Sequence, residues 1–173
     1  MSSFRKFSCF TALASLVLLG ACGFQPLYGK HAAGSAPGEF AKIRVLPIKD
    51  RIGQMLHNHL LTVLNPRGRP GNPQYLLETQ VTESFSSLGV RKSGFATRAN
   101  LKATADFSLL VTGSGKALFR GSSTITVSYN ILDSDFATLS AKKDARARAV
   151  REISEDMRVR LGAYFSQVQS VKK

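Results

Sequence analysis

Leu101-Lys102-Ala103-Thr104-Ala105-Asp106-Phe107-Ser108-Leu109-Leu110-Val111 decides the fold class. Successive side chains of a strand point to opposite faces, so Leu101, Ala103, Ala105, Phe107, Leu109 and Val111 share one face, with Lys102, Thr104, Asp106 and Ser108 on the other. That is a half-buried strand with one wet side. Gly113-Ser114-Gly115 follows as a hairpin turn. The return strand turns Ala117, Phe119, Ile125, Val127 and Tyr129 inward, opposite Arg120, Ser122, Thr124, Thr126 and Ser128. Upstream, Gln74 to Ser86 alternates in the same way, with Tyr75, Leu77, Val81 and Phe85 against Glu78, Gln80, Thr82 and Ser84. Strands of about eleven residues are long, on the order of 35 Å.

Two helical patterns flank this meander. From Ile52 the apolar positions Met55, Leu56, Leu60, Val63 and Leu64 keep the spacing of one helical face, with Asp50 placed to cap it and Asn65-Pro66 to stop it. Ala41 to Ile48, with β-branched Ile43 and Val45, reads as a first strand. Strand, helix and strand then form a crossover, right-handed by default. Phe136 to Val168 reads as one helix about 50 Å long, its apolar line running Phe136, Leu139, Val150, Ile153, Met157, Leu161, Tyr164, Phe165 and Val168. Asp144 with Arg148 and Asp156 with Arg160 are favourable pairs four apart. The strand alternation leaves one sheet face polar, so both helices belong on the other. The expected fold is α+β: two helices packed on one face of a mixed four-stranded sheet, in the order β-α-β-β-β-α. Its core is expected to include Leu101, Phe107, Leu109, Ile125, Val127, Ile153, Met157 and Leu161. No repeat of 20 to 50 residues is visible.

The N-terminus has a different character. Arg5 and Lys6 precede an apolar run from Phe7 to Leu19, which reads as the n-region and h-region of an export signal. About 13 apolar residues are too few to span a bilayer, which needs roughly 20. Leu19-Gly20-Ala21-Cys22 closes the run and resembles the lipobox of bacterial lipoproteins, in which the cysteine becomes the first mature residue and carries the lipid. The expected organisation is therefore a signal peptide over 1–21, a lipidated linker over 22–40 and one sandwich domain over 41–173. Glycines and prolines fill the linker, where Phe24, Leu27 and Tyr28 can pack against either the domain or a partner. Cleavage leaves about 150 of the 173 residues, enough for one core. Of the two cysteines, Cys9 leaves with the signal and Cys22 takes the lipid, so no disulfide is expected.

A net charge of +13 would suggest nucleic acid in a cytosolic chain. An exported chain meets other polyanions, and the absence of tryptophan and of an RNP-like aromatic motif agrees with excluding nucleic acid. The basic balance points instead to phosphorylated glycolipid or an acidic protein surface. No constellation supports catalysis. His57 and His59 stand two apart on a predicted helix and point different ways, a poor metal pair. Gly113-Ser114-Gly115 lacks the length and the lysine of a phosphate loop, and there is no Gly-x-Ser-x-Gly elbow. No metal or cofactor is expected beyond the covalent lipid on Cys22.

Three stretches together resemble the LptE family of lipopolysaccharide-assembly lipoproteins in its alphaproteobacterial form. They are Leu19-Gly20-Ala21-Cys22-Gly23-Phe24-Gln25-Pro26-Leu27-Tyr28, then Asp50-Arg51-Ile52-Gly53-Gln54, and Asp144-Ala145-Arg146 through Ala149-Val150-Arg151-Glu152-Ile153. Gly23, rather than aspartate, after the cysteine resembles the signal that sorts enteric lipoproteins to the outer membrane. The resemblance implies a non-enzymatic protein on the periplasmic face of the outer membrane that partners the LptD β-barrel, partly within its lumen, and assists delivery of lipopolysaccharide. A sheet face rich in Ser and Thr suits a polar barrel interior. The rival reading is an accessory lipoprotein subunit of another lipid transport system.

For lipopolysaccharide, the candidate residues are Arg91 and Lys92, in the loop Gly89-Val90-Arg91-Lys92-Ser93-Gly94, and Arg98 just beyond it. Cations at a strand tip can meet lipid phosphates through charge-assisted bonds, although a solvated hairpin loop explains the same charges. Lys142, Lys143, Arg146 and Arg148 form a second basic cluster, expected to face solvent or the barrel.

Overall fold

The computed structural model describes residues 36–90 and 96–171. Its elements are α1 (Ala36–Phe40), β1 (Ile43–Val45), α2 (Asp50–Leu64), β2 (Tyr75–Val90), β3 (Ala96–Val111), β4 (Ala117–Asn130) and α3 (Asp135–Val171). The strands lie in sequence order in one sheet, β1 parallel to β2 and the rest antiparallel. This is the α+β arrangement expected, with a short helix added in front. That helix takes up the last residues of the stretch read as linker, and Phe40 at its end is buried.

The register follows the alternation. Leu101, Ala103, Ala105, Phe107 and Leu109 are all buried, while Lys102 and Asp106 are exposed. Phe107 and Val127 share the inner face with Ile153, Met157 and Leu161 of α3, and Ile125 packs half-buried against them. Fully burying such side chains stabilises the fold by roughly 1.5 to 3 kcal/mol each. Alanines let α3 approach the sheet closely: Ala145 and Ala149 on the helix and Ala103 and Ala105 on β3 are fully buried. α3 lies mainly over β4, and α2 packs beside it over β1 and β2.

Four expectations need correction. β1 covers only Ile43–Val45, not Ala41 to Ile48; just beyond it the Leu46 N–H still reaches the Leu77 carbonyl at 3.0 Å, while the Leu46 carbonyl meets His57 Nδ1 at 3.1 Å. Asp50 does not cap α2; it is the first helical residue, at φ 66°, and Lys49 precedes it without a side-chain cap. The entry is set instead by close packing, since a Cβ on Gly53 would lie 2.7 Å from the Ile48 side chain. β2 and β3 outrun the expected strands and pair as far as Val90 with Ala96, so Gly89 and Val90 belong to β2 rather than to a loop. Finally, Phe136 and Leu139 are not core: they are 79% and 63% exposed. The first buried residue of α3 is Ala145, so the turns before it run past the part of the sheet the helix covers.

Candidate functional site

None of the three helices covers the outer face of the sheet. There Lys102 stands between Ser84 and Thr126, Thr104 between Thr82 and Thr124, and Asp106 between Gln80 and Ser122. The short hydroxyl and amide groups bond across the strands: Thr104 Oγ1 and Thr124 Oγ1 are 3.0 Å apart, and Ser128 Oγ donates to Asn100 Oδ1 at 2.7 Å. Cross-strand pairs of this kind fix side-chain positions without burial. The result is a broad polar surface backed by a rigid sheet.

Arg98 lies on this same face, exposed in β3 and opposite Asn130 of β4. Arg91 and Lys92 lie outside the described residues. Strand parity therefore puts Arg98 with Lys102 on the outer face, whereas the helix cluster sits on the inner side of the same end. Of that cluster, Arg146 makes a bidentate pair with Glu83 of β2, with Nε donating to Oε2 at 2.8 Å and Nη2 to Oε1 at 2.6 Å. The hydrogen bond it donates to Glu83 raises the Arg146 pKa, against a lowering by desolvation, so the guanidinium stays charged throughout the working pH range. Lys142 Nζ stands 3.9 Å above the centroid of the Phe85 ring, and the Arg146 guanidinium lies 5.3 Å from it. Arg148 bonds Asp144 at 2.9 Å and the Ser128 carbonyl at 3.3 Å. Lys143 is exposed. Two of the four cations are thus engaged by carboxylates and a third by an aromatic ring. No signal in the sequence links Glu83 to Arg146, which lie 63 positions apart.

The opposite end is aromatic. Phe165 meets Phe40, Tyr75 and Tyr164 at centroid distances of 6.3, 5.3 and 5.4 Å. Tyr75 also donates its hydroxyl to Glu39 at 3.2 Å. Burial first, and then the Glu39 charge and hydrogen bond, hold the Tyr75 pKa above its ordinary value.

A cleft of about 880 Å³ opens where β1 ends, lined by Pro47, Lys49, Asp50, Glu78, Gln80, Asp106 and Arg120 among others. Its charges are mixed. His57 Nδ1 is 3.1 Å from the Leu46 carbonyl. Because a carbonyl only accepts, Nδ1 carries the proton and donates, which makes His57 a strut for the chain leaving β1. Among the described residues no three His, Cys, Asp or Glu side chains are grouped to hold a metal, and no helix is long and apolar enough to cross a membrane.

Three solved structures share this architecture. A lipoprotein of Caulobacter crescentus CB15 superposes with a TM-score of 0.64 at 19% identity, over 76% of this chain and 96% of that one. A minor lipoprotein from Acinetobacter baumannii gives 0.53 at 16% identity, over 71% and 94%. Lipoprotein B from Nitrosomonas europaea gives 0.52 at 14%, over 73% and 88%. At these identities the likeness is one of fold. No curated protein sequence matches the chain. A model of the LptE family, described as lipopolysaccharide-assembly, matches residues 40–161, from the buried Phe40 through α2 and every strand to Leu161 in α3. The chain belongs to the LptE lipopolysaccharide-assembly family.

Proposed function

We propose that the protein is a lipid-anchored, non-enzymatic subunit that partners the LptD β-barrel in bringing lipopolysaccharide to the outer leaflet of the outer membrane. The observation that carries this reading is the uncovered polar face of the sheet in a chain of the lipopolysaccharide-assembly family. A hydroxyl-rich surface can lie against the polar interior of a barrel, where its charges, among them Arg98, Lys102 and Asp106, can meet polar partners. Cys22 is the anchor in this reading. One acyl chain holds a protein at a membrane only marginally, whereas the three of a lipobox cysteine hold it firmly.

Purification from outer membranes in mild detergent tests the partnership. The expected result is a stoichiometric complex with the barrel that survives a high-salt wash; recovery as a monomer at native expression levels contradicts it. Mass spectrometry of the mature chain is expected to find acylated Cys22 at its N-terminus, and Cys22→Ser is expected to leave the membrane fraction.

The lipid contact is assigned to Arg91, Lys92 and Arg98, of which Arg98 shares its face with Lys102. Arg91→Glu with Lys92→Glu is expected to weaken lipopolysaccharide binding, most at low salt, while barrel association persists. Unchanged binding at low salt would remove this tip from the site.

A further inference from the structure

We propose that the start of α3 is an acyl-chain platform, on which Leu132, Phe136 and Leu139 receive the hydrocarbon of lipopolysaccharide while neighbouring cations hold its phosphates. This rests on the lipid contact proposed above and extends it from the charged head group to the chains. Of the large hydrophobic side chains exposed among the described residues, these three fall together, at 48%, 79% and 63% exposure, in one connection and the first turns of one helix. Apolar side chains scattered singly on a surface need no explanation, but a group of them held in water marks a contact.

The group is held by built structure. Ile131 donates its N–H to the Thr97 carbonyl at 3.0 Å, which ties the connection to β3. Thr138 Oγ1 then accepts from the Leu132 N–H at 2.9 Å and donates to the Leu132 carbonyl at 3.1 Å. Ser134 caps the helix, its carbonyl accepting from the Thr138 N–H at 3.0 Å and its Oγ from the Ala137 N–H at 3.4 Å. Phe136 and Leu139, three apart, share a helical face. Lys142 and Lys143 stand three and four places beyond Leu139, about 5 Å further along the axis on that face, and Lys143 is exposed. Arg98, the residue after Thr97, brings a third cation to the same end. Asp133 and Asp135 stand at the helix start and repel phosphate there, so the head group lies toward the lysines and the chains toward Phe136.

Polarity and charge select the occupant. Barrel interiors are polar, so a barrel wall around the sheet offers these side chains no apolar partner. A second copy would set Arg98, Lys142 and Lys143 against their own like charges. An acylated, phosphorylated glycolipid meets both requirements, because its phosphates make charge-assisted bonds to the cations and its chains cover the apolar face.

Binding of lipid A and of its fully deacylated, phosphorylated disaccharide to the full mature chain tests this, with Cys22→Ser in every sample so that no detergent competes for the platform. Phe136→Ser with Leu139→Ser is expected to weaken lipid A binding about tenfold, at low and high salt alike, and to leave disaccharide binding unchanged. Arg98→Glu is expected to weaken both, most at low salt. Phe136 and Leu139 are exposed, so the double variant keeps its core, which circular dichroism checks. In growing cells, photoprobes at Phe136 and Leu139 are expected to capture lipopolysaccharide, and one at Val159, exposed elsewhere on α3, to capture none. Undiminished lipid A binding by the double variant, with Arg98→Glu still impaired, would overturn the platform and leave the charged contact standing. A wild type that binds neither ligand would overturn both, and probes at Phe136 and Leu139 that capture only the barrel or a second copy would overturn the platform.

Discussion

Asn65 holds together the end of α2, α1 and β1. Its Nδ2 donates to the carbonyls of Phe40 at 3.1 Å and Ile43 at 3.2 Å, and its backbone N–H closes on Leu61. Truncation to alanine leaves two buried carbonyls without a donor, so Asn65→Ala is expected to cost about 2 kcal/mol in denaturant unfolding. Asn65→Asp should cost more at neutral pH, because it sets a carboxylate against those carbonyls. Tyr75 makes a prediction about pH. Its folded pKa lies above the unfolded value near 10, so the protonated hydroxyl is favoured in the fold. The stability it contributes is complete below pH 10 and is lost as pH rises from there through the folded pKa. Tyr75→Phe should flatten that alkaline slope, which urea titrations between pH 9 and 11 can measure. Gly121 is fixed by contact: a Cβ there would lie 2.7 Å from Cζ of Phe107. Gly121→Ala is expected to destabilise by about 1 to 3 kcal/mol through overpacking, with partial relief from Phe107→Leu.

The meander was readable because its apolar period is two and its faces differ in polarity; Leu101 to Leu109 leave no other register. Sequence period says nothing about where a neighbour ends. Phe136 and Leu139 fit the helical line of Val150 and Ile153, but the line has a sheet beneath it only from Ala145 onward. Conversely, Ser86-Ser87 and Ala96-Thr97 lack the alternation that marks a buried face, yet they are strand because backbone pairing continues past the end of the core. At the candidate site, the wet face with Arg98 could be read from parity alone. The Arg146–Glu83 pair could not, since it depends on how α3 lies across the sheet. That pair pins the front of α3 to β2, with side chains 21% and 25% exposed. Arg146→Ala is expected to lower stability by about 1 kcal/mol, as partly screened pairs do, and to speed hydrogen exchange in the turns before Ala145.

Along the whole molecule, the two ends are chemically distinct. The described chain enters at Ala36 beside the aromatic cluster of Phe40, Tyr75 and Phe165. Arg98, Lys102 and Lys142 lie toward the other end, with Lys142 about 35 Å along α3 from Phe165. In the proposed function, the lipid on Cys22 tethers the chain to the membrane and the polar sheet face lies against the barrel. Site-specific photocross-linking in growing cells tests that placement. Probes at Thr104 and Ser84, in the middle of the outer face, are expected to capture the LptD barrel, while a probe at Arg151, exposed on α3, captures it far less. Capture from Arg151 with none from Thr104 and Ser84, or capture of an inner-membrane transporter from the sheet face, would contradict it.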